Sequence, residues 1–220
     1  MITTSEQFYR DAAKAWCEFA TRGVGGRLAN DPVYRWITEG RDKGPTYSSC
    51  ADLGHWLLYR LGVRCAFINR TEHNGWRPVV NVARLCARPL GSCPVARRPH
   101  PGEALLTGDI IISWARPDSS DAHVMVVNDL DDLTLRTWDL GQGPMVASAW
   151  ANGRQHIEAA RRSRRAWWSG GELHLQNGKI VRSIISLPEA LHFARTNDEL
   201  APADAPTGER LDELEGWIDG

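Results

Sequence analysis

Apolar and polar positions along the chain fall into two rhythms. In the first stretch, Phe8, Ala12, Ala15 or Trp16, and Phe19 recur at helical spacing, with Thr4 and Gln7 as a capping-box start and Gly23 and Gly25-Gly26 as a stop. Asp31-Pro32 is a cap followed by a first-turn proline, so a short helix carrying Val33, Tyr34, Trp36 and Ile37 is expected up to Gly40. Within 48–62, Leu53, Leu57 and Leu61 repeat every four residues behind Ser48-Ser49 and ahead of Gly62, which predicts a third helix. Gly54 inside it costs about 1 kcal/mol relative to alanine, so something is expected to pack closely against the helix there.

Beyond residue 63 the rhythm shortens. Residues 64–68 and 79–82 are strand-like around a turn at 72–75, and the Pro, Arg and Gly content of 87–102 predicts a surface loop. Three strands are expected at 109–114, 123–127 and 133–138, the last two forming a hairpin through the turn at 128–132. Residues 147–166 read as a basic helix, 172–187 as two short strands around Asn177-Gly178, and 188–195 as a short helix. A Pro/Ala/Asp linker over 196–208 leads to an acidic tail, 209–220, with Leu211, Leu214 and Trp217 on one face. There is no internal repeat. The expected organisation is one domain over 1–195, with linker and tail over 196–220.

Composition narrows the function. At 220 residues and 42% hydrophobic content the chain can build an ordinary core. Lys plus Arg number 26 against 27 Asp plus Glu, a net charge of -1, so no whole-protein field steers it to nucleic acid or an anionic membrane. Five cysteines are an odd number, leaving at least one unpaired within the chain. The N-terminus lacks a basic and then apolar leader, and no stretch approaches the roughly 18 apolar residues of a membrane span. Synthesis and folding in the cytoplasm are expected, which leaves open a later release by lysis or by a machine that needs no signal peptide. Ten tryptophans are many for this length; most suit a partly buried core, and some are expected to line a groove.

Chemistry concentrates at two positions. Cys50 stands at the head of the 48–62 helix, where the helix dipole and free backbone N–H groups favour a thiolate and can form an oxyanion hole. Alone, it could equally be a small buried residue. His123 opens an apolar strand, from which an imidazole can reach a helix N-terminus and act as general base. Asp139, on the next strand of the hairpin, is the first choice to hold the imidazole's tautomer, with Gln142 and Asp121 in reserve.

Ser49-Cys50-Ala51-Asp52-Leu53, Gly108-Asp109-Ile110-Ile111 and His123-Val124-Met125-Val126-Val127, in that order and followed by Asp139, resemble the NlpC and CHAP branches of the papain-like cell-wall peptidases and amidases. The resemblance covers roughly residues 47 to 141. It implies an α+β papain-like fold of the NlpC/CHAP type, with the nucleophile helix packed on a small antiparallel β-sheet. It also implies a Cys50-His123-Asp139 triad, no cofactor, and peptidoglycan stem peptides or their amide links as substrate. Tyr47, Ser49, Asp52, Asp121, Trp138 and Gln142 are then the candidate substrate-binding residues. The pattern departs from the family around the nucleophile, where Ser49 precedes it and Ala51-Asp52 follow, and the aromatic-Gly-Gly segment is missing unless Tyr47 stands in for it. A delivery or immunity protein could dock at the groove or on the acidic tail.

Two other enzyme contexts keep the pair: a cytoplasmic thiol protease, or a deamidase or acyltransferase acting on a protein. A non-catalytic peptide-binding module is the third possibility. Arg154, Arg161, Arg162, Arg164 and Arg165 beside Trp167-Trp168 could hold phosphates and stack bases. In a neutral chain they fit better a solvated helix face or a clamp for a substrate carboxylate. Cys86, Cys93 and His100 match no compact zinc spacing, and no GxxxxGK loop is present, so neither a metal site nor nucleotide chemistry is expected.

Overall fold

The computed structural model describes residues 4–21, 28, 31–34, 50, 52–63, 95–114, 123–140 and 159–196. The strands expected at 64–68 and 79–82, and the linker and tail, lie outside them. Three helices longer than one turn are present among the described residues: α1 (Thr4–Thr21), α2 (Asp52–Arg60) and α3 (Leu187–Thr196). The strands are β1 (Ala96–Arg97), β2 (Ile110–Trp114), β3 (His123–Asp131), β4 (Thr134–Leu140), β5 (Ala159–Ser169), β6 (Glu172–Leu175) and β7 (Ile180–Ile185).

All pairings are antiparallel, in the order β1-β7-β2-β3-β4-β5-β6, and β7 also pairs with β6. Strands β2 to β7 therefore close into a six-stranded antiparallel barrel. This corrects the papain-like α+β arrangement of a helix on a small sheet, for two physical reasons. Of the basic segment 147–166 expected as a helix, residues 159–166 belong instead to the long strand β5, which joins β4 to β6, and 147–158 lie outside the described residues. The last hairpin then returns so that β7 seals against β2, with Ile110 opposite Ile185 and Ile111 opposite Ile184. Part of the loop expected over 87–102 also pairs, as the short strand β1 on β7.

Alternation along the strands separates two cores. Ile111, Met125, Val127, Leu135, Ala166, Leu173, Leu175, Val181 and Ile184 form one cluster inside the barrel. Ile110, Ile112, Val124, Val126, Trp138, Leu140 and Ile185 point the other way and pack against the helices. Strands β2 and β3 are buried on both faces, which is why they read as unbroken apolar runs rather than alternating ones.

The helical layer follows from the same stripes. On α1, Ala12, Ala13, Trp16, Cys17 and Ala20 are buried, and Trp16 meets Trp56 of α2 edge to face at 5.6 Å. All of α2 is buried, and it packs on β3, β4 and α1. Burying Leu53 and Leu57 contributes about 1.5–3 kcal/mol each, as upper bounds. A Cβ at Gly54 would stand 3.1 Å from Ile110 Cδ1, so the helix approaches the barrel closely at this glycine, as its cost in a helix implied.

The Gly108-Asp109 pair ties the layers together. Gly108 has φ +90°, and a Cβ there would fall 2.8 Å from Leu187 Cδ2 and 2.9 Å from the Ala13 Cβ. Asp109 accepts from the backbone N–H of Leu106 (2.9 Å) and of Leu187 (3.0 Å) and from Arg10 Nη1 (3.2 Å). One carboxylate thus joins its own turn, the start of α3 and the face of α1. In this chain the Gly-Asp motif is a structural latch.

Candidate active site

Cys50 stands just ahead of α2, His123 is the first residue of β3, and Asp139 is next to last in β4. Val126 pairs with Trp138 across the hairpin. His123 lies three positions from that pair and Asp139 one, so both occupy the opposite face, shared with Val127 and Thr137. Their side chains meet there: His123 Nε2 and Asp139 Oδ2 are 2.8 Å apart. The Cys50 side chain lies close enough to the imidazole to favour its charged form. With Nε2 held by Asp139, Nδ1 is the nitrogen left to face the sulfur. Nδ1 is buried and makes no hydrogen bond; catalytic hydrogen bonds often form only once substrate is bound.

Asp139 is the most heavily bonded group of the three. Its Oδ1 accepts from the Thr137 hydroxyl at 2.5 Å and from Arg164 Nη1 at 3.4 Å, and its Oδ2 accepts from Arg164 Nη2. Arg164 Nη1 also donates to the Thr137 hydroxyl oxygen. The Leu135–Arg164 pairing puts Arg164 on the barrel's inner face, since Leu135 belongs to the interior cluster. Ser113, paired with His123 on β2, is buried on the same face. The barrel interior is therefore divided. One end is filled by aliphatic side chains; the other holds Ser113, His123, Thr137, Asp139 and Arg164.

The electrostatics follow from these contacts. For His123, burial alone would lower the pKa, but the bond to Asp139, the contact with Cys50 and the charges of both outweigh it, and the net shift is upward. For Asp139, burial works toward protonation, yet the bonds to His123, Arg164 and Thr137 and the guanidinium charge prevail, and its pKa lies below the ordinary carboxyl value. Cys17 is the contrasting thiol: it is fully buried in α1, and burial pushes its pKa far up. Cys50 is half-buried.

Of the remaining candidates, Asp52 and Trp138 are each 1% exposed. Trp138 is part of the core between barrel and helices, and Asp52 accepts from the Tyr34 hydroxyl at 3.4 Å. Neither presents a face to a ligand. Tyr47, Ser49, Asp121 and Gln142 lie outside the described residues, as do Cys86 and Cys93; His100 is exposed. No cluster of three metal-binding side chains occurs among the described residues. Trp167 is 37% exposed and stacks on His174 (5.8 Å), while Trp168 packs against the barrel interior cluster.

Arg164 was placed with the wrong partners by sequence reasoning, as part of a basic helix face or a clamp for substrate. The signal that identifies it is Gly170-Gly171, which joins Ser169 to Glu172 with φ of 58° and 81°. A two-residue turn of that kind demands a strand before it, and a strand puts Arg162 and Arg164 on one face. No family model matches the chain, and neither does any of the curated proteins or solved structures compared with it.

Proposed function

We propose that the chain is a cysteine hydrolase of amide bonds, with Cys50 as nucleophile, His123 as general base and acid, and Asp139 as the group that orients the imidazole. The observation that carries this reading is the bond from His123 Nε2 to buried Asp139, with the Cys50 side chain close enough to favour the charged imidazole. His123 accepts the thiol proton and the sulfur attacks the carbonyl carbon, forming a C–S bond and an oxyanion that backbone N–H groups near Cys50 stabilise. As the C–N bond breaks, His123 passes its proton to the leaving amine, leaving a thioester. Water, deprotonated by His123, then attacks the thioester; the acid departs and the proton returns to sulfur. The order of the motifs around Cys50, Gly108-Asp109, His123 and Asp139 resembles the NlpC and CHAP hydrolases, which favours peptidoglycan stem peptides as the substrate class.

The test is iodoacetamide labelling of each cysteine in the native protein, mapped by mass spectrometry, for wild type and His123→Ala. Cys50 is expected to label fastest and Cys17 to stay protected, and loss of His123 is expected to slow Cys50 by about tenfold or more. Muropeptide digestion that disappears in Cys50→Ala then assigns the substrate. A Cys50 rate indifferent to His123 removes the hydrolase reading and leaves a peptide-binding module.

A further inference from the structure

We infer that Arg164 is a positioning residue of this site, holding Asp139 ionised and aimed at His123. The inference rests on the hydrolase reading of Cys50 and His123, and adds a fourth member from a strand that carries neither. Asp139 has a side chain 0% exposed, and Arg164 is 18% exposed. A carboxylate removed that far from water is stable only with a partner charge and filled lone pairs. Arg164 supplies both: its two terminal nitrogens reach the two carboxylate oxygens, and the Thr137 hydroxyl fills the corner between them. The planar fork fixes the plane of the carboxylate, and with it the direction in which Oδ2 meets His123 Nε2.

Charge balance gives this arrangement a further use. When the proton moves from Cys50 to His123, the site holds thiolate, imidazolium, carboxylate and guanidinium, which sum to zero. Without Arg164 the largely buried site would carry a net negative charge both before and after the transfer. Arg164 touches neither substrate nor sulfur in this account; it acts through Asp139.

Two substitutions separate these roles from simple packing. Arg164→Met keeps much of the volume without the charge, and Arg164→Lys keeps the charge without the two-point hold. Two quantities are read on each: the iodoacetamide rate at Cys50 at fixed pH, and the far-downfield proton NMR resonance of the His123 Nε2–H bonded to Asp139. Arg164→Met is expected to slow labelling by about tenfold and to shift or abolish the resonance, the scale of losing a charge-assisted hydrogen bond. Arg164→Lys is expected to recover most of that loss, staying within about threefold of wild type with a displaced resonance. Wild-type rates and an unmoved resonance in both variants overturn the inference. Should the Met variant not fold, the Lys variant decides, because an undisplaced resonance there rules out the two-point hold. His123→Ala keeps the two readings apart: if it slows Cys50 and Arg164→Met does not, the hydrolase reading stands and the role of Arg164 falls. If His123→Ala leaves Cys50 unchanged, the pair itself is wrong.

Discussion

Asp139→Asn removes one charge from the most densely bonded group of the site while keeping its shape. In the native protein that carboxylate receives His123, Arg164 and Thr137 with no side-chain exposure. Removing one partner of a buried ion pair costs about 3–5 kcal/mol, because the other charge is stranded. Arg164 retains some contact with water, and the asparagine oxygen can still accept one of its bonds, so about 2–4 kcal/mol is expected. With a urea slope near 2 kcal/mol/M, that is a fall of about 1–2 M in the unfolding midpoint. The pH dependence gives a second reading. Asp139's folded pKa lies below the ordinary 3.8, so its contribution is complete above that pH and is lost as pH falls through the lower folded value. Urea titrations of wild type and Asp139→Asn at pH 7, 5, 4 and 3 should therefore show a gap that is widest at neutral pH and narrows below about 4. A gap under about 1 kcal/mol at pH 7, or one that widens on acidification, would refute the buried, ionised carboxylate.

Two other measurements bear on the scaffold. Gly108→Ala meets a positive φ and the rigid Ala13 Cβ at 2.9 Å, and should lose about 3 kcal/mol in urea unfolding at pH 7; a loss below about 1 kcal/mol would show that α1 and α3 yield there. Asp109 behaves oppositely to Asp139: burial outweighs Arg10 and the two backbone donors, and its pKa is raised above 3.8. Its contribution is complete below 3.8 and is lost as pH rises through the folded value, so wild type should lose stability relative to Asp109→Asn between pH 4 and pH 7. A gap that grows in the wild type's favour over that range would contradict the raised value.

The local elements were legible where one physical signal dominated. Leu53, Leu57 and Leu61 marked α2, and the apolar runs at 110–114 and 123–127 marked β2 and β3. Asn177-Gly178 marked the last hairpin, with Gly178 at φ 79°. His123 and Asp139 were named from their places on consecutive strands, but they share a face only because the ladder shifts by one residue between Val127 and Asp129; the pairing that starts at the turn, Asp131 with Thr134, would by itself put them on opposite faces. Strand β5 was hidden because its inward positions include Arg162 and Arg164, so the alternation of apolar and polar residues that announces a strand is erased by charges facing both ways. The partner that justifies one inward charge, Asp139, lies 25 residues away. Closure was hidden for a different reason: the β2–β7 seam joins segments some seventy residues apart through ordinary isoleucine pairs that carry no local mark of their partner.

Asp109 sits at that seam. It opens the first barrel strand and caps the helix that follows the last one, 78 residues later, while also gripping Arg10. Peeling β7 from β2 therefore costs more than the strand ladder, since it also pulls Leu187 from Asp109 and uncaps α3. Opening of that seam is thereby coupled to the start of α3, and β2, which forms one side of it, is also the strand that pairs with His123.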